Sequence, residues 1–174
     1  MQSSEVHRLL AAHLKIPGAT RAKSSPLVLA LESPVSHLFL WMQVSRDGWV
    51  EGFGNKFVPT FSRQVASRFA IGVGEDVRLG RMLDDEQRRR ATEIHNVIVG
   101  PPLTGAAIGR LPQDLVDHLR AQLRPREHPF TESDDIWLRY RSPADVIRWA
   151  DFVSSEWPTL LTRVEAWFSQ GGQP

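Results

Sequence analysis

The most constraining feature of the sequence is an alternation of side chains over residues 37–45, followed directly by Arg46-Asp47-Gly48. A period of two is typical of a β-strand, and Asp-Gly between apolar runs indicates a hairpin turn. Leu27–Leu31 is a short apolar run before this segment, and Lys56–Arg63 resembles a further strand after it. The pattern predicts a meander of antiparallel strands over residues 26–65.

Two details of this region carry their own predictions. Pro59 has no amide donor, so the strand that contains it should lie at a sheet edge or carry a bulge. The segment Thr20–Ser25 is small and polar, and we predict a loop there.

The rest of the chain shows mainly helical patterns. Asp84 and Gln87 have capping-box spacing and begin a helix. Further helices are predicted at Ser4–Lys15, after Pro112, after the Ser142 cap and, separately, from Pro158. One more alternating segment, Asp135–Arg141, predicts a strand paired with the meander. Because the strands are grouped, the sequence favours an α+β fold: an antiparallel sheet of about four to five strands with helices packed mainly on one face.

Length and composition indicate one globular domain over residues 1–174, with residues 1–4 and 170–174 flexible. The absence of cysteine excludes disulfides and Cys-ligated metals. The longest stretch without a charged side chain, Ile94–Gly109, is too short to span a bilayer. No signal-peptide pattern is present at the N-terminus. We therefore expect a cytoplasmic protein with no membrane partner.

Charge is nearly balanced, with 21 Lys and Arg against 20 Asp and Glu. The run Arg88-Arg89-Arg90 follows Asp84-Asp85-Glu86, which predicts three acid–arginine pairs four residues apart on one helix face. A face neutralised in this way is a weak phosphate-binding patch. Direct nucleic-acid binding stays open as an alternative through the arginines of the 78–90 segment: Arg78, Arg81, Arg88, Arg89 and Arg90.

No organised catalytic motif is present. The six histidines lack metal-ligand spacing, and no G-x-S-x-G elbow or carboxylate pair stands out. The sequence therefore identifies no catalytic residue, no metal ligand and no cofactor. A metal-dependent hydrolase or nuclease, with Glu93, His95 and distant acids, stays open as an alternative.

Tryptophan is the remaining signal, with six copies against one tyrosine. Trp41 and Trp137 fall on strand faces opposite the main apolar rows, and Trp and Arg are enriched in binding hot spots. The candidate binding residues are Trp41, Trp49, Trp137, Arg139 and Arg141. The alternative is that both sheet faces are buried and the tryptophans belong to the core.

The motifs Leu38–Gln43, Lys56–Val58, Asp135–Tyr140, Ser142–Asp145 and Trp149-Ala150 together resemble small bacterial proteins of an uncharacterised, domain-of-unknown-function family. The likeness covers about residues 25–168. It implies a cytosolic bacterial α+β protein and supplies no catalytic residue. The expected function is that of a non-enzymatic macromolecule-binding protein, a bacterial accessory or immunity-type subunit whose partner is another protein.

Overall fold

The computed structural model describes residues 1–24, 26–34, 37–63, 76–102 and 108–171. Residue 25 of the expected loop, residues 35–36 and 64–65 of the expected meander and residues 172–174 of the expected flexible end lie outside these ranges. The elements in chain order are α1 (Ser3–His13), β1 (Thr20–Ser24), β2 (Leu27–Leu31), β3 (Leu38–Val44), β4 (Asn55–Ser62), β5 (Asp76–Arg78), α2 (Leu79–Met82), α3 (Asp85–Val99), a 3-10 turn (Ile108–Arg110), α4 (Gln113–Gln122), β6 (Leu138–Tyr140) and α5 (Pro143–Ser169).

The strands form one antiparallel sheet, which confirms the predicted fold class. β1, β2, β3 and β4 are neighbours in chain order. Beyond β4, two short strands share one edge: β6 pairs with Asn55–Phe57, and β5 pairs with Thr60–Ser62. The sheet therefore branches at β4.

The prediction that the Pro59 strand lies at an edge or carries a bulge is wrong. β4 is an internal strand, and its register with β3 is continuous from Phe57 to Ser62. On the side of β4 away from β3, β6 pairs with Asn55–Phe57 and β5 pairs with Thr60–Ser62. Pro59 lies in the gap between these two segments, and this position tolerates a proline. None of the described strands pairs with β4 at that point, so the missing amide interrupts neither ladder.

The loop predicted at Thr20–Ser25 is also wrong, because Thr20–Ser24 is the edge strand β1. All five of its residues are exposed, so its polar side chains are compatible with the position. Charged side chains are common on edge strands because they discourage pairing with other chains. The backbone of the apolar strand β2 supplies the hydrogen-bonding partner for β1.

The main core lies on one face of the sheet, here called the core face. Leu40, Phe57 and Phe61 on this face are fully buried, and α1 and α5 supply much of the covering layer. The residues of α5 that join the core include Trp149, Phe152, Val153, Trp157, Leu160, Val164 and Phe168. Burying a side chain of this size contributes about 1.5–3 kcal/mol, so α5 is a principal source of stability.

α5 is a single helix of 27 residues, and the separate helix expected from Pro158 is wrong. Proline inside a helix removes one backbone hydrogen bond. The apolar stripe nevertheless continues past it, since Trp157 and Leu160 are both buried. Packing against the sheet therefore outweighs the local preference for a break.

The capping box at Asp84 and Gln87 is present as predicted. The three acid–arginine pairs four residues apart are not. Because the Asp84 carboxylate caps α3 and binds Arg163 of α5, it does not pair with Arg88. Arg88 and Arg89 instead pair at spacing three, with Asp85 and Glu86, and Arg90 pairs with Glu156 of α5.

Candidate functional site

The opposite face of the sheet, here called the outer face, carries three of the five candidate residues. In register, Trp41 pairs with Thr60 and Arg139 pairs with Lys56, so these side chains share that face. Trp137 precedes β6 by one residue, and its ring lies close to Lys56 and Arg78.

The Trp137 indole is held between two cations. The Lys56 Nζ lies 5.3 Å from the ring centroid, and the Arg78 Cζ lies 5.4 Å from it. The indole Nε1 donates a hydrogen bond to Asp135 Oδ2 at 3.0 Å, and the same oxygen forms an ion pair with Arg78. Trp137 remains only half-buried. The result is a partly exposed aromatic ring whose orientation is set by contacts to three charged residues.

Arg139, next to this ring, is a buried cation with only 7% of its surface exposed. Its guanidinium stacks 4.5 Å from the Phe53 ring, and its Nη2 donates to Gln122 Oε1 at 3.3 Å. Nη1 is buried and has no hydrogen-bond partner in the described part of the chain. Burial lowers the pKa of Arg139, and the charge of Asp47 partly opposes this shift. Among the described residues no carboxylate forms an ion pair with Arg139, so it adds positive charge to the outer face.

Trp41 and Trp49 lie in different surroundings from Trp137. Trp41 lies on the outer face but is only 6% exposed. Its burial agrees with the alternative expectation that the tryptophans belong to the core. Trp49 stacks on Tyr140, with ring centroids 5.7 Å apart, and packs against the main core. Trp41 is therefore not placed to contact a partner directly, whereas Trp49 is half-buried and keeps a partly exposed surface.

Arg141 holds backbone segments together. Its Nε donates to the Gly52 carbonyl at 2.6 Å, and its guanidinium also donates to the carbonyls of Pro101 and Pro102, at 2.5 and 3.0 Å. The β3–β4 hairpin loop approaches the backbone of β6 closely here. A Cβ atom added at Gly54 would lie 1.9 Å from the backbone carbonyl oxygen of Tyr140. Arg141 therefore ties the end of β6 to the β3–β4 hairpin and to the end of α3.

We define the Trp137 cluster as Lys56, Arg78, Asp135, Trp137 and Arg139. The alternation around residue 137 predicted two of these residues. Lys56 and Asp135 were missed, and Arg78 was considered only as a nucleic-acid contact, because Arg78 and Asp135 are 57 residues apart in the chain and meet only where β5 and β6 flank β4. No local sequence pattern signals that meeting.

Apart from Arg78, which is part of the Trp137 cluster, the residues of the two alternative functions lie elsewhere. Glu93 is exposed and pairs with Arg89, whereas His95 packs edge-on against Phe130 at 5.4 Å. Burial, aided by the charges of Arg139 and Arg126, lowers the pKa of His95 to about 4. Within the part of the chain that the structure describes, no group of three or more His, Asp and Glu side chains is arranged to hold a metal ion.

Four of the five arginines in the 78–90 segment are engaged in ion pairs. Arg78, Arg88, Arg89 and Arg90 each bind a carboxylate. Arg81 stacks over Trp167, with its Cζ 5.9 Å from the ring centroid. A phosphate backbone would have to compete with these partners.

Comparison with known proteins gives no relative. No protein-family model, curated protein or solved structure matches the chain. The resemblance to an uncharacterised bacterial family therefore gains no support. Among the described residues, none of the helices is both long and apolar enough to cross a membrane.

Proposed function

We propose that this chain is a non-enzymatic protein-binding protein that contacts its partner through the Trp137 cluster. In this proposal it acts in the bacterial cytoplasm as an accessory or immunity-type subunit. The observation that carries the proposal is the half-buried Trp137 ring, held between Lys56 and Arg78.

A tryptophan held in this way suits a binding hot spot. Ordering a mobile side chain on binding costs about 0.5–1.5 kcal/mol, and the contacts to Lys56, Arg78 and Asp135 reduce that cost in advance. Tryptophan and arginine are also the residues that most often dominate binding energy.

Charge supports a partner with an acidic contact surface. Two of the three cations in the cluster are paired, Lys56 with Asp47 at 3.2 Å and Arg78 with Asp135, whereas the Arg139 guanidinium has no carboxylate partner among the described residues. Opposite charges across an interface raise the association rate and favour the correct partner. A partner that places a carboxylate near Arg139 would compensate that charge.

The test compares Trp137→Ala with Trp167→Ala in affinity capture from the native host. Trp167 is a matched control because it is also half-buried and also stacked by an arginine, Arg81. We expect Trp137→Ala to weaken capture of a protein partner at least tenfold, since hot-spot truncations cost about 2 kcal/mol or more. Trp167→Ala should retain capture, and circular dichroism should show both variants folded.

Two outcomes would contradict the proposal. One is equal capture of the same proteins by both variants. The other is capture of nucleic acid in place of protein, with binding that weakens steeply as salt increases.

A further inference from the structure

A pocket of about 250 Å³ lies between α1 and the edge strand β1, separate from the Trp137 cluster. α1 contributes Ser4, His7, Arg8 and Ala11, whose spacing of three and four residues places them on one helix face. β1 contributes Arg21 and Ser24.

A register shift in β1 brings the two strand residues to the same face. Arg21 pairs with Leu29 and Ser24 pairs with Leu27, with the irregularity between Arg21 and Lys23. Without it, two residues three positions apart would point to opposite faces of the sheet. Leu27 and Leu29 belong to the core face, so Arg21 and Ser24 face the same side as α1.

Five of the six lining residues have a side chain that can form hydrogen bonds, and none of the six is acidic. Arg8 and Arg21 are exposed, and neither forms an ion pair with a described residue. The hydroxyls of Ser4 and Ser24 lie in the same lining. Guanidinium groups and hydroxyls are the side chains that proteins use to bind phosphate oxygens.

His7 differs from the other lining residues because it is buried, with 6% of its surface exposed. Its Nε2 lies 3.1 Å from the Met42 carbonyl oxygen, which can only accept, so Nε2 carries the proton. Nδ1 is then an acceptor, and it is buried with no hydrogen-bond partner among the residues that the structure describes. Burial also lowers the pKa of His7, which favours this neutral form.

We propose that this pocket binds one phosphate group, as the free ion or as part of a small phosphorylated metabolite. Arg8 and Arg21 neutralise its charge, Ser4 and Ser24 donate to its oxygens, and its protonated oxygen donates to His7 Nδ1. The volume lies just below the 300–1,000 Å³ typical of sites for drug-sized ligands, so the ligand is small.

The test is calorimetric titration of the full chain with inorganic phosphate and, separately, with glycerol phosphate. We expect saturable binding of one ion per chain. Glycerol phosphate should bind more tightly than inorganic phosphate if the ligand is a phosphorylated metabolite. Inorganic phosphate should bind more tightly if the ligand is the free ion. Sulfate, which has no O–H group at neutral pH, should bind more weakly. Arg8→Gln and Arg21→Gln should each weaken phosphate binding at least tenfold.

Arg46→Gln is the matched control, because it removes the same charge from the exposed hairpin turn. It should leave phosphate affinity unchanged. The proposal is overturned if no saturable binding of either phosphate occurs, if sulfate binds as tightly as phosphate, or if Arg46→Gln weakens binding as much as Arg21→Gln. The residues that line the pocket lie outside the Trp137 cluster. The outcome of the phosphate titrations therefore neither supports nor contradicts the protein-binding proposal.

Discussion

Tyr140 is the only tyrosine in the chain, and its side chain is fully buried between Trp49 and Phe57. Burial raises the pKa of Tyr140 from 10.0 to about 12, although the nearby Asn55 amide opposes the shift. The folded protein therefore holds the phenolic proton more tightly than the unfolded chain does. The contribution of this pKa difference to the free energy of unfolding is fully present below pH 10. It is lost as the pH rises from 10 to about 12.

Ultraviolet absorbance of tyrosinate reports this residue alone. We expect no ionisation near pH 10 while the protein remains folded, and a decrease in the free energy of unfolding between pH 10 and 12. Tyr140→Phe removes the titrating group, so its free energy of unfolding should depend less on pH in that range. Ionisation of the folded wild type near pH 10 would contradict the burial described for this side chain.

At the scale of elements, Glu156 joins α3 to α5. It is 8% exposed, accepts a hydrogen bond from Gln87 Nε2 at 2.8 Å and forms an ion pair with Arg90. Replacing the carboxylate by an amide keeps an acceptor for Gln87 but removes the charged hydrogen bond with Arg90 at a largely buried position, and losing such a bond costs about 1–3 kcal/mol. We expect Glu156→Gln to lower the free energy of unfolding by that amount in denaturant titrations.

Glu93→Gln is the matched comparison, because Glu93 also binds an α3 arginine but is exposed. Exposed ion pairs contribute about 0–1 kcal/mol, so this variant should change stability less than Glu156→Gln does. An equal effect of the two substitutions would mean that burial of Glu156 adds nothing to the α3–α5 contact.

Elements whose patterns are local could be predicted from the sequence, whereas those that depend on distant partners could not. The alternation in β3 and the capping box of α3 depend on neighbouring residues, and both predictions hold. β1 lacks an apolar pattern and exists because β2 offers it a backbone edge. In the candidate site, Trp137 was predicted from alternation, but Arg78 reaches it only through the branching of the sheet at β4.

At the scale of the whole molecule, one apolar cluster joins α1, the sheet, α3 and α5. Its members include Leu10, Leu40, Ala91 and Trp157. Because these elements share buried contacts, we expect a single cooperative unfolding transition. Thermal melting curves followed by far- and near-ultraviolet circular dichroism should then coincide. Two separated transitions would contradict the prediction of one domain over residues 1–174.

The position of α5 in the chain has a consequence for synthesis. β2, β3 and β4 leave the ribosome long before α5, which begins only at Pro143 and buries much of their core face. During translation, Leu40, Phe57 and Phe61 therefore remain without that cover, and β6 has yet to pair with β4. Such exposed apolar surface makes incomplete chains prone to aggregation. Nascent chains of this protein should therefore depend on chaperones until α5 has been made.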